Sequence, residues 1–455
     1  MTHPSSNTAG NFPTQRPAVR LYGDEFRRSP TAALQALAAL APVVRVELEP
    51  GAHAFLATDY ETIVAICRDP QTYVRDSRQW RDYARGRITH TSELLQMMTW
   101  RPNVLFADGP EHARLRRAIT DSLDRIDLHV LEHDVRRAAN LLIDTFISRG
   151  QADLVREFTD MLPLLVCTRL FGLRDEDGYR LLDILARIWD GTDAERAGRR
   201  LHRLLGDLIN EKRQRPAADL TTSLLQHRAG LSDEAVLEHL VLLIGASNTP
   251  TSALIGNTLQ ILLTDEHTGR AVGGHRLTVE QAIHRALWLK APFTAYPFVY
   301  PTEDVSFGDV AIPAGSPIAL GLAAANRSMA AHFNGPGADN RAHLAFGVGD
   351  HQCPAKDQSL RIATIAIETL LVRLTGLRLA VPAADLTLRP SVFASAYSAL
   401  PVEFNPQAIP SESGSTCAPM PSSLIRPIPT GRPRHSAHAA PSRRFSFPAM
   451  LRRGR

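Results

Sequence analysis

The chain has 455 residues, of which 44% are hydrophobic and 22% are charged, which is ordinary for a globular protein with one large domain or two smaller ones. Its formal net charge of +4 is uneven: eight arginines and one glutamate follow residue 404, so this tail carries about +7 and the rest about −3. The pI near 9.0 is therefore a property of the tail, and it does not indicate a nucleic-acid-binding fold. The four scattered cysteines exclude a disulfide framework.

The N-terminal residues are polar and lack the apolar core of a signal peptide. The chain also lacks any run of about 18 apolar residues, the length that a membrane-spanning helix needs. These two features predict a soluble, cytoplasmic protein without a membrane span.

The first part of the chain predicts a disordered segment followed by a small β region. Residues 1–20 are rich in Pro, Ser, Thr and Asn, which is typical of disorder. The stretches "VVRVELE" at 43–49 and "AFLAT" at 54–58 predict two short strands, and "DYETIVAICRD" predicts a helix directly after them.

From about residue 110 to 290, apolar residues recur at spacings of three and four, which predicts a mostly helical region. The longest predicted helix begins after Ser232, a good N-cap followed by two acidic residues, and runs to about Leu263. A second helix is predicted after Thr278, because Gln281 stands three residues later and completes a capping box.

The C-terminal part predicts a β hairpin, one long helix and a disordered tail. Residues 296–320 alternate in polarity and carry Gly308 and Gly315 near predicted turns. The last long helix is predicted from about Pro354 to Leu374. Residues 405–455 are dominated by Pro, Ser and Arg without periodicity, which predicts a solvated basic extension. The predicted fold class is mostly α with minor β.

The most informative stretch is "FGVGDHQCPA" at 346–355. Cys353 directly precedes the last predicted helix, with Pro354 at a position that favours proline. Free amides and the helix dipole at such an end stabilise a thiolate and predict a lowered pKa, with Ala355 and Lys356 supplying the amides. A thiolate held in this way suits haem iron. The alternatives are an inert buried cysteine or a zinc ligand, although zinc needs further ligands nearby.

This stretch resembles the haem-binding signature of the cytochrome P450 family. The family's pattern is Phe, Gly, any, Gly, any, His or Arg, any, Cys. Family members also carry a glycine two residues after the cysteine, and this chain has Ala355 there. The matching residues are Phe346, Gly347, Gly349, His351 and Cys353. The resemblance covers roughly residues 20–404 and implies a haem domain over 21–404, a long central helix over the haem, and haem b (iron protoporphyrin IX) bound through the thiolate of Cys353.

Other segments add to the resemblance. "FADGPEHARLRRAI" at 106–119 is similar to the family's C-helix region, which implies that His112 and Arg116 contact the haem propionates. "LLIGASNTPTSALIGN" at 242–257 resembles the central helix, where family members open a groove for dioxygen, here near Ala246. "TEDVSFGDVAIPAGSPIALGLAAANRS" at 302–328 resembles a strand segment of the family.

Two departures from the family's pattern concern charged residues. The Glu-x-x-Arg motif of helix K is replaced by Arg285 and Trp288 in "HRALWLKAP". A subset of actinobacterial members also lacks this motif, and the sequences "NRAHLAFG" at 340–347 and "CPA" at 353–355 resemble that subset. An arginine that binds a propionate in other members is replaced by Val299. The haem would therefore keep His112 and Arg116, together with His351, but lose one donor.

The third departure concerns proton delivery in the central helix. Family members place an acid and an alcohol there to relay protons to dioxygen. One alignment puts Thr249 at the acid position, Pro250 at the alcohol position and Thr251 just after it, and the other puts Asn248 and Thr249 there. Neither supplies a carboxylate. Pro250 lacks an N–H and predicts a kink near Ala246. Thr249 and Thr251 are the candidate catalytic residues, acting through ordered water.

Three functions remain open from the sequence. The resemblance implies a monooxygenase of secondary metabolism that inserts one oxygen atom from dioxygen into a small apolar organic substrate. NAD(P)H would supply its electrons through ferredoxin reductase and ferredoxin. Its substrate pocket would lie between the central helix, the loop near 80–100 and residues 293–299. The missing carboxylate motivates a peroxide-using enzyme, and the three departures together motivate a non-catalytic haem-binding accessory protein.

Overall fold

The computed structural model describes residues 18–408, apart from 24–25, 27–29, 90–91, 93, 190–193, 333–338 and 390. The predicted disorder of residues 1–17 and most of the predicted basic tail, from residue 409 onward, lie outside the described residues.

Helices make up most of the described chain. They are α1 (Pro30–Ala38), α2 (Tyr60–Arg68), α3 (Arg81–Ala84), α4 (Leu94–Met98), α5 (Gly109–Leu123), α6 (Leu128–Asp144), α7 (Leu162–Leu170), α8 (Asp175–Trp189), α9 (Ala194–Gln214), α10 (Leu220–Leu225), α11 (Asp233–Thr264), α12 (Glu266–Gly273), α13 (Val279–Leu289), α14 (Leu322–His332) and α15 (Lys356–Arg373). Of these helices, none combines the length and the low polarity needed to cross a bilayer.

The strands form three small sheets. They are β1 (Val19–Arg20), β2 (Val43–Glu49), β3 (Ala52–Ala57), β4 (Tyr73–Val74), β5 (Gln151–Asp153), β6 (Phe298–Pro301), β7 (Val305–Phe307), β8 (Val310–Ile312), β9 (Ile318–Leu320), β10 (Arg378–Leu379) and β11 (Pro401–Glu403). The largest sheet has six strands in the order β1-β2-β3-β9-β6-β4, the second has the order β10-β11-β5, and the third is the β7-β8 hairpin. The predicted class, mostly α with minor β, is confirmed.

Local capping signals located the helices well. Helix α11 spans Asp233–Thr264, and the Ser232 hydroxyl accepts the Ala235 amide, as the sequence predicts. The capping box at the start of α13 is also confirmed, because Thr278 and Gln281 each accept the other's backbone N–H. These bonds satisfy amides that a helix start leaves without intrahelical partners.

Three boundaries differ from the predictions. Val19 and Arg20 form β1 rather than disordered chain, because they pair with β2 and are followed by the fully buried Leu21. The predicted hairpin at 296–320 is confined to β7 and β8 around Gly308, while the flanking strands β6 and β9 join the six-stranded sheet. Helix α15 begins at Lys356 rather than Pro354, because Pro354 and Ala355 are used in a turn after the cysteine.

Helix α11 lies at the centre of the helical part. Its C-terminal half packs with α6, α7, α13 and α15 in one apolar cluster that includes Leu254 and Leu259. Its N-terminal half packs with α5, α8, α9 and α10 in a second cluster that includes Leu240 and Ile244. A helix buried on several sides in this way positions any residue of its middle turns rigidly relative to the rest of the protein.

Helix α13 shows what stands in place of the Glu-x-x-Arg pair. Trp288 is 1% exposed and donates its indole N–H to the carbonyl of Asn340 at 2.8 Å. Its ring also meets the ring of His343 edge-on, with centroids 5.9 Å apart. Arg285 instead pairs with Asp265 at 3.3 Å near the surface. A neutral hydrogen bond and aromatic packing therefore join α13 to the segment before the cysteine loop.

We expect Trp288→Phe to lower the free energy of unfolding by about 2 kcal/mol, because it removes the bond to Asn340 and leaves a small void. Denaturant unfolding followed by circular dichroism measures the change. Trp100→Phe is the matched control, since Trp100 is only half-buried and stacks with the Arg78 guanidinium; it should cost less than about 1 kcal/mol. Equal losses in both variants would contradict this role for Trp288.

His343 predicts an acid-sensitive fold. Burial, with smaller effects from His284 and Lys356, lowers the pKa of His343 to about 3. The unfolded chain, with an ordinary histidine pKa near 6.5, binds a proton that the folded chain excludes, so stability is lost as the pH falls below about 6.5. This residue should contribute a loss of about 2 kcal/mol between pH 6.5 and 5. His343→Gln should flatten that slope in denaturant titrations, whereas His332→Gln, at an exposed site, should leave it unchanged.

Candidate haem site

The cysteine loop is closed by backbone hydrogen bonds. The amide of Cys353 donates to the carbonyl of Phe346 at 2.8 Å, and the amide of Gln352 donates to the carbonyl of Gly349 at 3.0 Å. A short 3₁₀ turn over Leu344–Phe346 leads into the loop, and the Phe346 ring packs against the main apolar cluster. The loop therefore holds Cys353 at a defined position, directly before α15.

Glycine is required at two positions of the loop for different physical reasons. Gly347 has a φ of 71°, a conformation that side chains other than glycine rarely adopt. Gly349 has a φ of 77° and lies against the end of α2, so that a Cβ atom there would come within 2.3 Å of the Cys67 carbonyl oxygen. The absence of a Cβ atom at Gly349 thus allows the loop to pack directly against α2.

The Cys353 thiol is not activated by the helix end in the way that the sequence predicts. Burial raises the pKa of Cys353, and the Ala355 amide, Arg116 and Lys356 lower it by less. The Ala355 amide donates to the sulfur, as expected. Lys356 lowers the pKa of Cys353 through its side-chain charge and not through its backbone amide. The prediction of a lowered thiol pKa is therefore wrong for the protein alone, because desolvation outweighs the helix end.

Two histidines stand next to each other beside this loop. His112 of α5 and His351 of the loop have ring centroids 4.0 Å apart. His112 is buried, and its Nε2 atom has no hydrogen-bond partner in the described structure. Burial lowers the pKa of both rings, that of His351 to about 4. Both are therefore neutral near pH 7, and each can offer one N–H to a ligand.

Arg116 brings a positive charge to the same place. It lies one turn after His112 on α5 and is half-buried. Burial lowers the pKa of Arg116, while its proximity to Cys353 and Asp350 raises it. No hydrogen bond or ion pair engages its guanidinium among the residues that the structure describes. The two α5 residues predicted to act together thus both face the neighbourhood of the cysteine loop with unused donors.

The middle of α11 has one accessible face. Ala246 is exposed and Thr249 and Pro250 are half-buried, although both ends of the helix are packed. These positions are three and four residues apart and so share a side of the helix. Thr251 is 3% exposed and lies on a different side. The structure therefore separates the two candidate threonines, and only Thr249 shares the face of Ala246.

Proline does not interrupt α11. The helix continues through Pro250 to Thr264, while the missing N–H leaves the Ala246 carbonyl without its usual donor four residues on. Asn248, the other residue considered for the acid position, is buried with an Oδ1 atom that lacks a hydrogen-bond partner in the described chain.

Two further residues of this neighbourhood, Asp108 and Arg75, were not predicted from the sequence. Asp108 precedes α5 and accepts the backbone amides of Arg75 and Asp76 at 2.8–3.0 Å, and its carboxylate lies 3.9 Å from His351 Nε2. Arg75 follows β4 and is 7% exposed. Asp108 lies in the family-like segment 106–119, but nothing there marked it as a site residue. Arg75 belongs to no recognisable motif, and its position depends on the pairing of β4 with β6.

Two cavities were compared with the predicted site. One of about 990 Å³ lies between α13, α14 and the 384–397 segment, with Lys290, Arg327 and Tyr397 in its wall, and contains none of the predicted site residues. A small one is bounded by Arg75, Met98, Phe106 and the chain from Tyr296 to Tyr300. This small cavity, of about 10 Å³, overlaps the segments predicted to surround the substrate, near 80–100 and at 293–299, only at residues 97–98 and 296–298. Thr294 of the second segment lies in the wall of the large cavity instead.

These residues fit a haem. The donor set combines a single cysteine sulfur, which suits iron, with N–H groups that suit two propionate carboxylates. The unpartnered Nε2 of buried His112 and the unused guanidinium of Arg116 are the observations that call for an anionic ligand. The accessible face at Ala246 adds an opening in an otherwise packed helix.

No protein-family model matches the chain. Comparison with individual curated proteins, in contrast, finds cytochrome P450 enzymes. The chain is 30% identical over 368 residues to the mycinamicin IV hydroxylase/epoxidase of Micromonospora griseorubida, covering 76% of this chain and 88% of that protein. It is also 30% identical over 376 residues to cytochrome P450 107B1 of Saccharopolyspora erythraea, covering 79% and 92%.

Solved structures agree with these relatives. The structure of CYP154C4 from Streptomyces sp. W2061 matches with a TM-score of 0.77 at 27% identity, covering 86% of this chain and 98% of that one. The match thus extends over the helices and sheets described above and not only over the cysteine loop. The chain belongs to the cytochrome P450 family, and is a monooxygenase with haem b held by a cysteine thiolate.

Proposed function

We propose that Cys353 is the thiolate ligand of the haem, and that His112, Arg116 and His351 bind its propionates. The observation that carries this assignment is the convergence of a half-buried free thiol with unused N–H donors on α5 and the loop. When bound, the haem supplies the activation of dioxygen and the transfer of one oxygen atom to the substrate. We assign the haem domain to residues 21–404, with β1 as an N-terminal addition.

The protein's own residues carry out the remaining tasks. Phe346, Gly347 and Gly349 hold the loop so that the Cys353 sulfur has one position. The neighbouring Ala355 amide and the Arg116 charge favour the thiolate over the thiol. The Thr249 hydroxyl, on the accessible face of α11, holds and passes a proton through ordered water. Ala246 provides the opening for dioxygen beside it.

The substrate we propose is a small apolar organic molecule of secondary metabolism. The named relative is a hydroxylase/epoxidase of mycinamicin IV, and the side chains at 97–98, 105–106 and 298, next to the proposed haem site, are Met, Leu and Phe. Walls of this kind exclude water and bind apolar surface. Electrons would come from NAD(P)H through a ferredoxin reductase and a ferredoxin, in the cytoplasm.

A peroxide-driven reaction is the second candidate. Ala246, Thr249 and Pro250 make up the accessible face of α11, and none of them carries a carboxylate. Peroxide already carries the electrons and protons that dioxygen must receive, so it needs less proton delivery. Product formation with peroxide that exceeds the rate with ferredoxin, its reductase, NAD(P)H and dioxygen would favour this candidate over the first.

We expect Cys353→Ser to abolish the thiolate-type shift of the Soret band that appears when the protein is reduced under carbon monoxide, because a hydroxyl is a poor ligand for this iron. Cys67→Ser is the control, since Cys67 is also a free, half-buried cysteine, and it should retain the full shift. A thiolate-type spectrum in Cys353→Ser would contradict the assignment of the ligand.

We expect Thr249→Ala to lower product formation per NAD(P)H consumed by about tenfold or more, because positioned proton transfer contributes at least that much. Thr251→Ala should change it by less than about twofold, since Thr251 is buried away from the accessible face. Turnover with peroxide should be far less sensitive to Thr249→Ala. Equal losses in the two variants would contradict the role of Thr249.

A further inference from the structure

Arg75 is a buried cation without a counterion. It is 7% exposed, and its Nη1 donates to the carbonyl of Phe298 at 3.0 Å. Within the described residues no carboxylate oxygen lies within 4 Å of the guanidinium. A guanidinium has five N–H donors and stays protonated, and a buried charge of this kind is normally paired with an opposite charge. The remaining donors of Arg75 therefore call for an anion.

The position of Arg75 indicates which anion it can reach. Its backbone amide donates to the Asp108 carboxylate at 2.8 Å, and that carboxylate lies 3.9 Å from His351 Nε2. His351 and His112, with ring centroids 4.0 Å apart, are two of the three residues that we assign to the propionates. Arg75 is thus tied by its backbone to the same few residues that surround the proposed carboxylates.

Strand pairing places Arg75 opposite a position that has lost a cation. In the β4–β6 ladder, Tyr73 pairs with Pro301 and Val74 with Tyr300. One residue further, the same register sets Arg75 opposite Val299, at about 5 Å between opposed residues. By the resemblance described above, Val299 stands where an arginine for a propionate is expected. Arg75 supplies a positive charge opposite this position, directly after the neighbouring strand.

No other group near Arg75 neutralises it. The nearby phenols of Tyr296 and Tyr300 are neutral, because burial raises the pKa of Tyr296 to about 12 and that of Tyr300 further. The Asp108 charge raises the pKa of Arg75, but its carboxylate forms no ion pair with the guanidinium and accepts the backbone amides of Arg75 and Asp76 instead. Cys67 is likewise neutral, because burial raises its pKa. Among the described residues, the Arg75 guanidinium therefore has no ion-pair partner.

We propose that Arg75 binds a propionate carboxylate of the haem and replaces the arginine that is absent at Val299. This inference rests on the proposed function, since it requires haem beside the cysteine loop. It adds a haem-binding residue directly after β4 that no sequence motif marks. A guanidinium can bind a carboxylate through two parallel N–H···O bonds, so the contribution should be large.

The test measures haem loss from the holoprotein to excess apomyoglobin, followed by the Soret band. Arg75→Met is compared with the wild type, each loaded either with haem or with its dimethyl ester, whose propionates are esterified and uncharged. Arg78→Met is the control, because Arg78 lies three residues away but is exposed and paired with Asp76.

Arg75→Met should release haem about tenfold faster than the wild type, while the two proteins should release the dimethyl ester at rates within about twofold. Arg78→Met should match the wild type with both. Equal rates for wild type and Arg75→Met with haem would overturn the proposal. So would an equal acceleration with haem and ester, which indicates that Arg75 only supports the Phe298 carbonyl.

Arg75→Gln provides a second measurement if Arg75→Met folds poorly. It keeps an N–H donor for the Phe298 carbonyl but removes the charge, so it should release haem faster than the wild type does and release the dimethyl ester at the same rate as the wild type; equal rates of haem release for Arg75→Gln and the wild type would overturn the proposal. Failure of the proposed function has a different signature, because the wild type itself would then lack the thiolate-type spectrum under carbon monoxide. Failure of the Arg75 inference leaves that spectrum intact.

Discussion

The hydrogen bond from the Cys353 amide to the Phe346 carbonyl is the interaction on which the site depends. At 2.8 Å it closes the loop and leaves the sulfur at the start of α15, near the Ala355 amide and Arg116. The protein alone holds this group as a thiol, because desolvation dominates. Iron bound to this sulfur, as we propose, would supply the missing stabilisation, and its binding would then be coupled to release of the thiol proton.

Local signals in the sequence were sufficient for much of the fold. Caps such as Ser232 and the Thr278 box describe interactions within four residues, and they located α11 and α13 closely. The cysteine loop was recognisable from its resemblance to the family's signature, whose residues all lie within one short loop closed by backbone hydrogen bonds. The start of α15 was misplaced because Pro354 is equally suited to a turn and to a first helical position.

Long-range features were out of reach from the sequence. Val19 and Arg20 look like part of a polar N-terminus, and only pairing with β2 makes them a strand. Arg75 is one of many arginines in the chain, and its burial follows from the register between β4 and β6. The different exposure of Thr249 and Thr251 likewise depends on how α11 is packed. Such properties arise from contacts between residues far apart in the sequence.

The departures from the family's pattern share a physical theme. At Trp288 a charge pair is replaced by one neutral hydrogen bond and ring packing, a change that burial tolerates because neutral groups cost less to desolvate than ions. At Val299 a cation is absent, while Arg75 lies opposite this position in the register of β4 and β6. The buried electrostatics of this protein are therefore redistributed, and its overall architecture is preserved.

The contact between Gly349 and Cys67 has a consequence for how this chain can evolve. With only 2.3 Å between a Cβ atom and the opposing carbonyl oxygen, every amino acid other than glycine must force apart two backbone segments. Any amino-acid replacement at this position should therefore destabilise the fold, whatever its effect on catalysis. Changes in substrate preference are expected from other positions, where a new side chain meets no backbone atom.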